Sequence, residues 1–175
     1  MRFVYHLPLS PNCRKVRLVL AEKRLPFELR VERVWERRPE YLEANPAGTV
    51  PTLLEDNGLA IPDSSVICEY LEEAYPDNSL LGQTLGERVE VRRLAAWFDG
   101  KFALEVTRNL NGEKYFKRLA GRGEPDAGLL RAGWLMVQST SPAKSSTERC
   151  AAAAKSASEM VLPASHLRVS ASQPR

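Results

Sequence analysis

The sequence predicts an α/β fold over its first 80 residues, in the order βαβαββα, followed by a partial all-α segment. Three observations predict this architecture. Short strand-like stretches alternate with helix-like stretches up to about residue 80. An Asn57-Gly58 pair, which favours a tight turn, separates two neighbouring strand-like stretches. Further along, apolar residues recur with helical spacing from Val91 to Leu110.

The first seven elements follow from local signals. Ser10-Pro11 is typical of a helix start, because serine caps a helix and proline fits its first position. Pro26 ends that helix, and Asp63-Ser64 opens another. Strands are therefore predicted over residues 2–6, 27–32, 52–55 and 59–61, and helices from Ser10, over residues 39–44 and from Asp63.

The second half of the chain begins with a linker over residues 76–83. Thr84 and Glu87 have the spacing of a capping box, and the apolar residues after them share one face, so a long helix is predicted. Asn111-Gly112 weakens this helix, and the Gly- and Pro-containing residues 121–125 end the segment. The predicted domains are residues 1–80, 84–133 and 134–175.

The composition changes after residue 133. The last 42 residues contain nine serines and eight alanines, and five basic against two acidic residues. Because they lack a sustained amphipathic stripe, they have no face with which to join a core. We expect residues 134–175 to be a disordered or non-native tail, as a shifted reading frame or a truncated gene would produce.

Composition also excludes several classes of protein. The chain is 43% apolar and 27% charged, which is typical of a globular protein. It has no apolar run near the roughly 18 residues of a membrane span and no signal peptide. Cys13, Cys68 and Cys150 have the spacing of neither a disulfide framework nor a metal site. The net charge of +3 lies in the last 42 residues, so nucleic acid is not an expected partner. The cytoplasm is the expected compartment.

Three blocks of residues carry a resemblance to a known family. Ser-Pro-Asn-Cys stands at 10–13, Asn-Pro-Ala-Gly-Thr-Val-Pro-Thr-Leu at 45–53 and Asp-Ser-Ser-Val-Ile-Cys-Glu-Tyr-Leu at 63–71. In kind, order and spacing they resemble the N-terminal domain of the glutathione transferases, over residues 1–80 closely and to about residue 120 more weakly. The resemblance implies a thioredoxin-like fold for residues 1–80, glutathione as co-substrate, no metal, and a homodimer.

The resemblance implies that Ser10 activates the glutathione thiol. A free thiol has a pKa of about 8.5, and lowering it by two units takes about 2.7 kcal/mol. A hydroxyl that donates to the thiolate contributes about 1.5–3 kcal/mol, and a helix N-terminus adds about 0.3–1 kcal/mol. These contributions suffice without a separate base. Ser10 is the predicted hydroxyl donor, and a plain helix cap is its alternative role.

Two residues are alternatives to Ser10. Ser-Pro-Asn-Cys also looks like a glutaredoxin-type motif whose first cysteine is replaced by serine. Cys13 would then have a lowered pKa in the first helical turn and support disulfide exchange, unless it packs inward as a small apolar residue. Tyr5 is the second alternative, since some classes of the family use a tyrosine at the end of the first strand. The better alignment places His6 there, and both residues also fit as ordinary strand residues.

The remaining glutathione contacts come from the second and third blocks. Val50-Pro51 resembles the family's cis-proline step, which implies that the Val50 backbone pairs with the cysteinyl part of glutathione. Asp63-Ser64 resembles the acid–serine pair that holds the γ-glutamyl end, where a hydroxyl and helix-start N–H groups bind a carboxylate. The predicted glutathione-binding residues are Ser10, Val50, Pro51, Asp63 and Ser64.

The sequence departs from the family pattern in two places. Thr49 stands where the family often has a lysine for the glycyl carboxylate; Arg37 and Arg38 are candidate replacements, or else a solvated charge run. The helical domain is recognisable only in its first helix and in part of the second. What remains of its pocket is expected from Val91, Phe98, Phe102 and Tyr115 or Phe116, which also fit core or dimer packing.

Three functions are compatible with these patterns. The first is a glutathione transferase that presents the glutathione thiolate to a small apolar electrophile. The second is a glutathione-binding or protein-interaction module with little catalysis, because the helical domain is incomplete. The third is a glutathione-dependent thiol-disulfide reductase that uses Cys13.

Overall fold

The computed structural model describes residues 1–139, and these begin with the predicted βαβαββα order. We call residues 1–80 the sheet half and residues 84–139 the helical half. The sheet half consists of β1 (Phe3–His6), α1 (Pro11–Glu22), β2 (Glu28–Val31), a 3₁₀ turn (Val34–Glu36), α2 (Pro39–Ala44), β3 (Thr52–Leu54), β4 (Ala60–Pro62) and α3 (Ser64–Ala74).

The four strands form one mixed sheet in the order β2-β1-β3-β4. β1 and β2 are parallel, whereas β3 is antiparallel to both β1 and β4. In this register Tyr5 pairs with Thr52, and Thr52 pairs with Pro62. The segments that follow β1, precede β3 and follow β4 therefore meet at one end of the sheet.

The two faces of the sheet are covered differently. On one face α1 and α3 pack against the strands around a core with little or no solvent exposure, made of Val4, Val16, Leu20, Leu53, Ile61, Ile67 and Leu71. On the other face Tyr41 of α2 contacts Tyr5 edge-on and hydrogen-bonds the Thr52 hydroxyl at 2.8 Å. The sheet half thus encloses its own apolar side chains.

Two charged groups attach the linker to the sheet half. Buried Arg2 forms a 3.0 Å ion pair with Glu55 and donates to the Tyr75 hydroxyl. Lys23, also buried, pairs with Glu72 at 2.9 Å. Glu72 in turn accepts hydrogen bonds from the Ser79 hydroxyl and the Leu80 N–H, which hold the chain that leaves α3.

The helical half begins at the predicted capping box, in which Thr84 and Glu87 exchange hydrogen bonds. Its elements are α4 (Leu85–Trp97), a π-helical segment (Phe98–Phe116), α5 (Lys117–Leu119) and α6 (Ala127–Ser139). The first three form one continuous helix, at whose end the Lys117 N–H bonds the Gly112 carbonyl five residues back.

Two details differ from the sequence-based expectation. The long helix continues through Asn111-Gly112, because neighbouring turns supply its backbone hydrogen bonds. Residue 134 does not begin a new segment: α6 continues to Ser139. The rest of the predicted tail, residues 140–175, lies outside the described residues, and the predicted domain boundaries stay predictions. No helix among residues 1–139 is both long and apolar enough to cross a membrane.

Candidate functional site

The N-terminus of α1 places Ser10 at the end of β1. Its hydroxyl accepts a hydrogen bond from the Cys13 N–H at 3.3 Å, which caps the helix as predicted. Ser10 is 9% exposed, and its hydroxyl also hydrogen-bonds the Cys13 thiol. Because a hydroxyl can rotate its proton from one acceptor to another, Ser10 can also donate to a bound ligand.

Cys13 packs inward. Its side chain is fully buried, and its Sγ accepts a hydrogen bond from the Leu7 N–H at 3.4 Å. Burial raises the pKa of the Cys13 thiol above its ordinary value, although hydrogen bonds from Ser10 and Leu7 act in the opposite direction. A reactive cysteine needs an accessible, low-pKa thiol. This geometry gives Cys13 a packing role and offers no support for the reductase.

Tyr5 and His6 lie on opposite faces of β1, as alternate strand residues do. Tyr5 packs edge-on against Tyr41, with ring centroids 5.1 Å apart, on the face covered by α2. His6 is 4% exposed on the other face, where burial first and then the Arg17 charge lower its pKa. Neither ring lines the cleft that Ser10 borders.

The loop before β3 is anchored by buried polar groups. The Tyr41 hydroxyl and the Asn45 side-chain amide both donate to the Thr49 carbonyl. The Val50–Pro51 peptide bond is cis, as the resemblance implied. Within the described part of the chain, neither the N–H nor the C=O of Val50 has a hydrogen-bond partner, so both are available to a ligand.

The loop after β4 ends in a strained residue. Asp63 has φ 72° and ψ 131°, a conformation that costs a non-glycine residue on the order of 1–3 kcal/mol. Its carboxylate caps α3 by accepting hydrogen bonds from the Ser65 and Val66 N–H groups, at 2.7 and 3.3 Å. Ser64 is 4% exposed, and its hydroxyl has no partner among residues 1–139.

The sheet register brings these segments together. Because Tyr5 pairs with Thr52 and Thr52 with Pro62, the loops that contain Val50 and Asp63 lie beside the chain leaving β1. A hydrogen bond of 3.4 Å from Lys15 Nζ to the Ser65 hydroxyl joins α1 to the first turn of α3. All five predicted binding residues therefore lie in segments at one end of the sheet. Their roles in binding stay predictions.

A cleft of about 640 Å³ separates the start of α1 from the long helix. The sheet half contributes Ser10, Pro11, Asn12 and Lys15, and the helical half contributes Phe98, Asp99, Phe102, Val106, Arg108, Asn111 and Phe116, among others. The aromatic walls include Phe98, Phe102 and Phe116, as expected. Val91 and Tyr115 do not line it.

An ion pair that the sequence analysis missed joins the two halves at this cleft. Lys15 contacts Asp99 at 2.5 Å, and the Ser65 hydroxyl donates to the same carboxylate at 3.0 Å. The partners are 84 residues apart, so no local pattern indicates the pair. The expected substitute Arg38 is engaged elsewhere, in an ion pair with buried Glu32.

Comparisons with known proteins show which proteins this architecture is similar to. The family model for the glutathione S-transferase N-terminal domain matches residues 4–79. A glutathione S-transferase crystal structure from Rhodospirillum rubrum F11 is 52% identical, with a TM-score of 0.77 over 79% of this chain and 63% of that chain. The chain thus carries, over residues 4–79, a domain that matches the N-terminal domain of the glutathione S-transferases. Its sheet half has the thioredoxin-like fold that the three sequence blocks implied.

Two further relatives extend the match into the helical half. FtsZ-localized protein A of Caulobacter vibrioides is 45% identical over 135 residues, which are 75% of this chain and 59% of that protein. A glutathione S-transferase structure from Sinorhizobium meliloti 1021 is 38% identical, with a TM-score of 0.74 over 79% of this chain and 64% of that chain. This chain thus spans about three fifths of their length.

Proposed function

We propose that this protein binds glutathione at the end of the sheet and activates its thiol for attack on a small apolar electrophile. The observation that carries the proposal is the Ser10 hydroxyl. It borders a largely apolar cleft, and the Cys13 N–H fixes it at the start of α1. Donation of that proton to a thiolate, at the positive end of α1, lowers the thiol pKa.

Each of the three loops would bind a different part of glutathione. The free N–H and C=O of Val50 would pair with the cysteinyl backbone, next to Pro51. The Ser64 hydroxyl and the N-terminus of α3 would take the γ-glutamyl carboxylate, and Asp63 the ammonium. The electrophile would occupy the cleft between Ser10 and the phenylalanines of the long helix. Glutathione is the co-substrate, and the chemistry requires no metal.

Binding is tested first, by thermal unfolding with and without millimolar glutathione. A ligand at 100 times its dissociation constant stabilises the native state by about 2.7 kcal/mol, which raises the melting temperature by several degrees. A cooperative transition that does not move would contradict a glutathione site.

Turnover is tested with Ser10→Ala, and Thr84→Ala is the matched control. Both variants lose a helix cap, at about 0.5–2 kcal/mol, but only Ser10 borders the cleft. We expect turnover to fall at least tenfold in Ser10→Ala while glutathione binding largely survives, and to be unchanged in Thr84→Ala. Equal turnover in both variants would show that Ser10 does not activate the glutathione thiol.

A second candidate is a protein-interaction module that associates with FtsZ. Identity with FtsZ-localized protein A covers 135 residues, whereas identity with glutathione S-transferase 1 of Dianthus caryophyllus, at 39%, covers 88. The stronger match thus includes more of the helical half. Co-sedimentation with FtsZ filaments in the presence of GTP tests it. Binding that persists in Ser10→Ala would support this function independently of catalysis.

We also propose a homodimer in the cytoplasm. Apolar side chains of the helical half lie open to solvent, with Leu85 80% and Leu104 62% exposed. Large exposed apolar areas favour association. Light scattering coupled to size-exclusion chromatography gives the mass directly, and a monomer at micromolar concentration would contradict the dimer.

A further inference from the structure

The turn that joins β3 to β4 places an asparagine side chain next to a glycine amide in solvent. Asn57 and Gly58 are both exposed, and Gly58 has φ 87°. Beyond the chain neighbours of Gly58, a Cβ atom there would meet no atom of residues 1–139 within 4 Å. The turn follows β3, whereas Val50 precedes it, so this region lies at the far end of the sheet from the predicted glutathione contacts.

An asparagine before a glycine has an intrinsic reaction of its own. A base removes the Gly58 amide proton, and that nitrogen forms a bond to Cγ of Asn57. The Cγ–Nδ2 bond then breaks, and the amide leaves as ammonia after taking a proton from water. The cyclic succinimide adds water at either carbonyl, which leaves an aspartyl or an isoaspartyl residue at position 57. The reaction needs only a base and water.

The Asn57 side chain is held over the backbone that attacks it. Its Oδ1 accepts a hydrogen bond from the Leu59 N–H at 2.9 Å, which turns the carboxamide back over the peptide of Gly58. Negative charge develops on this same oxygen when Cγ is attacked, and a donor placed there stabilises it. Glycine has no Cβ to obstruct the approach. The turn therefore favours the reaction on both sides of the bond that forms.

One contact in the turn opposes the reaction. The Gly58 N–H donates to the Glu55 carbonyl at 3.0 Å, so it must be released before a base removes its proton. Exposed turns open at little cost in free energy. The Glu55 N–H bonds the Leu59 carbonyl at 2.9 Å and closes the hairpin behind the turn. The turn can therefore open without separation of the two strands.

The pair Asn111-Gly112 is a matched internal control. The same dipeptide lies inside the long helix, where the Lys117 N–H bonds the Gly112 carbonyl. Asn111 is half-buried, and side chains on a helix point back toward its N-terminus, away from the N–H of the next residue. Attack at Asn111 therefore requires the helix to unwind. The two pairs have the same intrinsic chemistry and differ in the structure that surrounds them.

We propose that Asn57 is a modification site, at which spontaneous deamidation converts the turn to a mixture of aspartyl and isoaspartyl forms. Each product adds one negative charge beside Asp56 to a chain whose net charge is +3. The isoaspartyl form also lengthens the backbone by one carbon atom, next to the pairing of Leu54 with Ala60. Because the turn sets the register of a hairpin, this form destabilises the sheet. The site is independent of the proposed transferase activity.

The first test is incubation of the full chain at pH 8 and 37 °C, followed by peptide mapping with mass spectrometry. We expect Asn57 to deamidate at least tenfold faster than Asn111. Denaturing urea should raise the rate at Asn111 to that at Asn57, and should change the rate at Asn57 less than threefold. Asn57→Gln should abolish the reaction at position 57, because its longer side chain closes a less favourable ring, and should leave Asn111 unchanged.

The second test separates the two products. An isoaspartyl carboxylate accepts a methyl group from S-adenosylmethionine in the presence of an isoaspartyl methyltransferase, which counts the modified chains. Asn57→Asp is the matched control, because it carries the new charge on an ordinary backbone. The incubated chain should accept methyl groups and melt below Asn57→Asp.

Three results would overturn the proposal. They are equal rates at Asn57 and Asn111 in the folded chain, a rate at Asn57 that rises with urea as steeply as that at Asn111, and an incubated chain that neither accepts methyl groups nor melts below Asn57→Asp.

Discussion

The two halves of the molecule differ in how they bury apolar side chains. Of eleven buried aliphatic, aromatic or cysteine side chains among residues 1–139, ten belong to the sheet half, and Val106 is the exception. A sheet with helices on both faces encloses its own core, whereas the long helix and α6 leave much of their apolar surface uncovered. The sheet half therefore carries its own stability, and the helical half depends on what covers it.

The halves differ in their ion pairs as well. In the sheet half, Arg2 and Glu55 pair with side chains 9% and 4% exposed. Where α4 meets α3, Arg92 and Glu69 pair with side chains 48% and 44% exposed. Removing one partner of a buried ion pair leaves the other charge buried without a partner. When an exposed partner is removed, water hydrates the remaining charge. The same residue types thus have different energetic weight in the two settings.

The largest predicted effect is therefore on the buried ion pair. Arg2→Met should lower the free energy of unfolding by about 3–5 kcal/mol, because Glu55 stays buried without its partner. Arg92→Met should cost less than about 1 kcal/mol. Urea denaturation of both variants measures the difference. Similar losses would show that the two pairs do not differ in solvation as the structure indicates.

The next comparison uses one leucine from a helix in each half. Leu20 is fully buried and Leu104 is 62% exposed, so helix propensity is comparable while burial differs. Leu20→Ala should lower the free energy of unfolding by about 2–5 kcal/mol, and Leu104→Ala by no more than about 0.5 kcal/mol. A large cost at Leu104 would mean that a partner surface covers the long helix in solution.

Two helical glycines provide a comparison within the helical half. A Cβ atom at Gly133 would lie 2.9 Å from Asn109 Cβ and 3.1 Å from Leu110 Cγ, where α6 approaches the π-helical segment. Gly133→Ala should therefore destabilise by about 1–3 kcal/mol. Gly112→Ala, at an open position, should stabilise by up to about 1 kcal/mol. The two substitutions should therefore change the melting temperature in opposite directions. A Gly133→Ala variant with unchanged stability would contradict close packing of α6.

The smallest predicted effect concerns the pH dependence of the linker contact. Burial opposes ionisation of Glu72, but hydrogen bonds from Lys23, Ser79 and the Leu80 N–H outweigh it and hold its pKa below the ordinary value. A lowered folded-state pKa gives stability that is present above the unfolded pKa, about 4.3, and is lost as the pH falls through the folded value.

Unfolding free energies of the parent chain and Glu72→Gln, measured from pH 7 to pH 3, check this contribution. The two curves should run parallel at neutral pH and converge below about pH 4.3. Glu43→Gln, an exposed substitution on α2, serves as the control and should leave the acid limb unchanged. If the two curves stay parallel down to pH 3, Glu72 does not contribute to the acid sensitivity of folding.

Much of the sheet half and the start of the helical half could be predicted because their signals are local. Ser10-Pro11, Asn57-Gly58 and the Thr84–Glu87 box each specify a turn or helix start within four residues, and all three stand where they were expected. The Lys15–Asp99 pair escaped prediction. Its partners are 84 residues apart, and only the packing of the long helix against the sheet half brings them together.

The sequence by itself determined the βαβαββα order and the capped start of the long helix, because caps, turns and apolar periodicity act over a few residues. Only the tertiary structure decided which side chains are exposed to solvent and which are buried. Cys13 shares the first turn of α1 with Ser10, yet packing made it an inert core thiol while Ser10 borders a cleft. It also brought Lys15 to Asp99, 84 residues away, since long-range packing determines which charges meet.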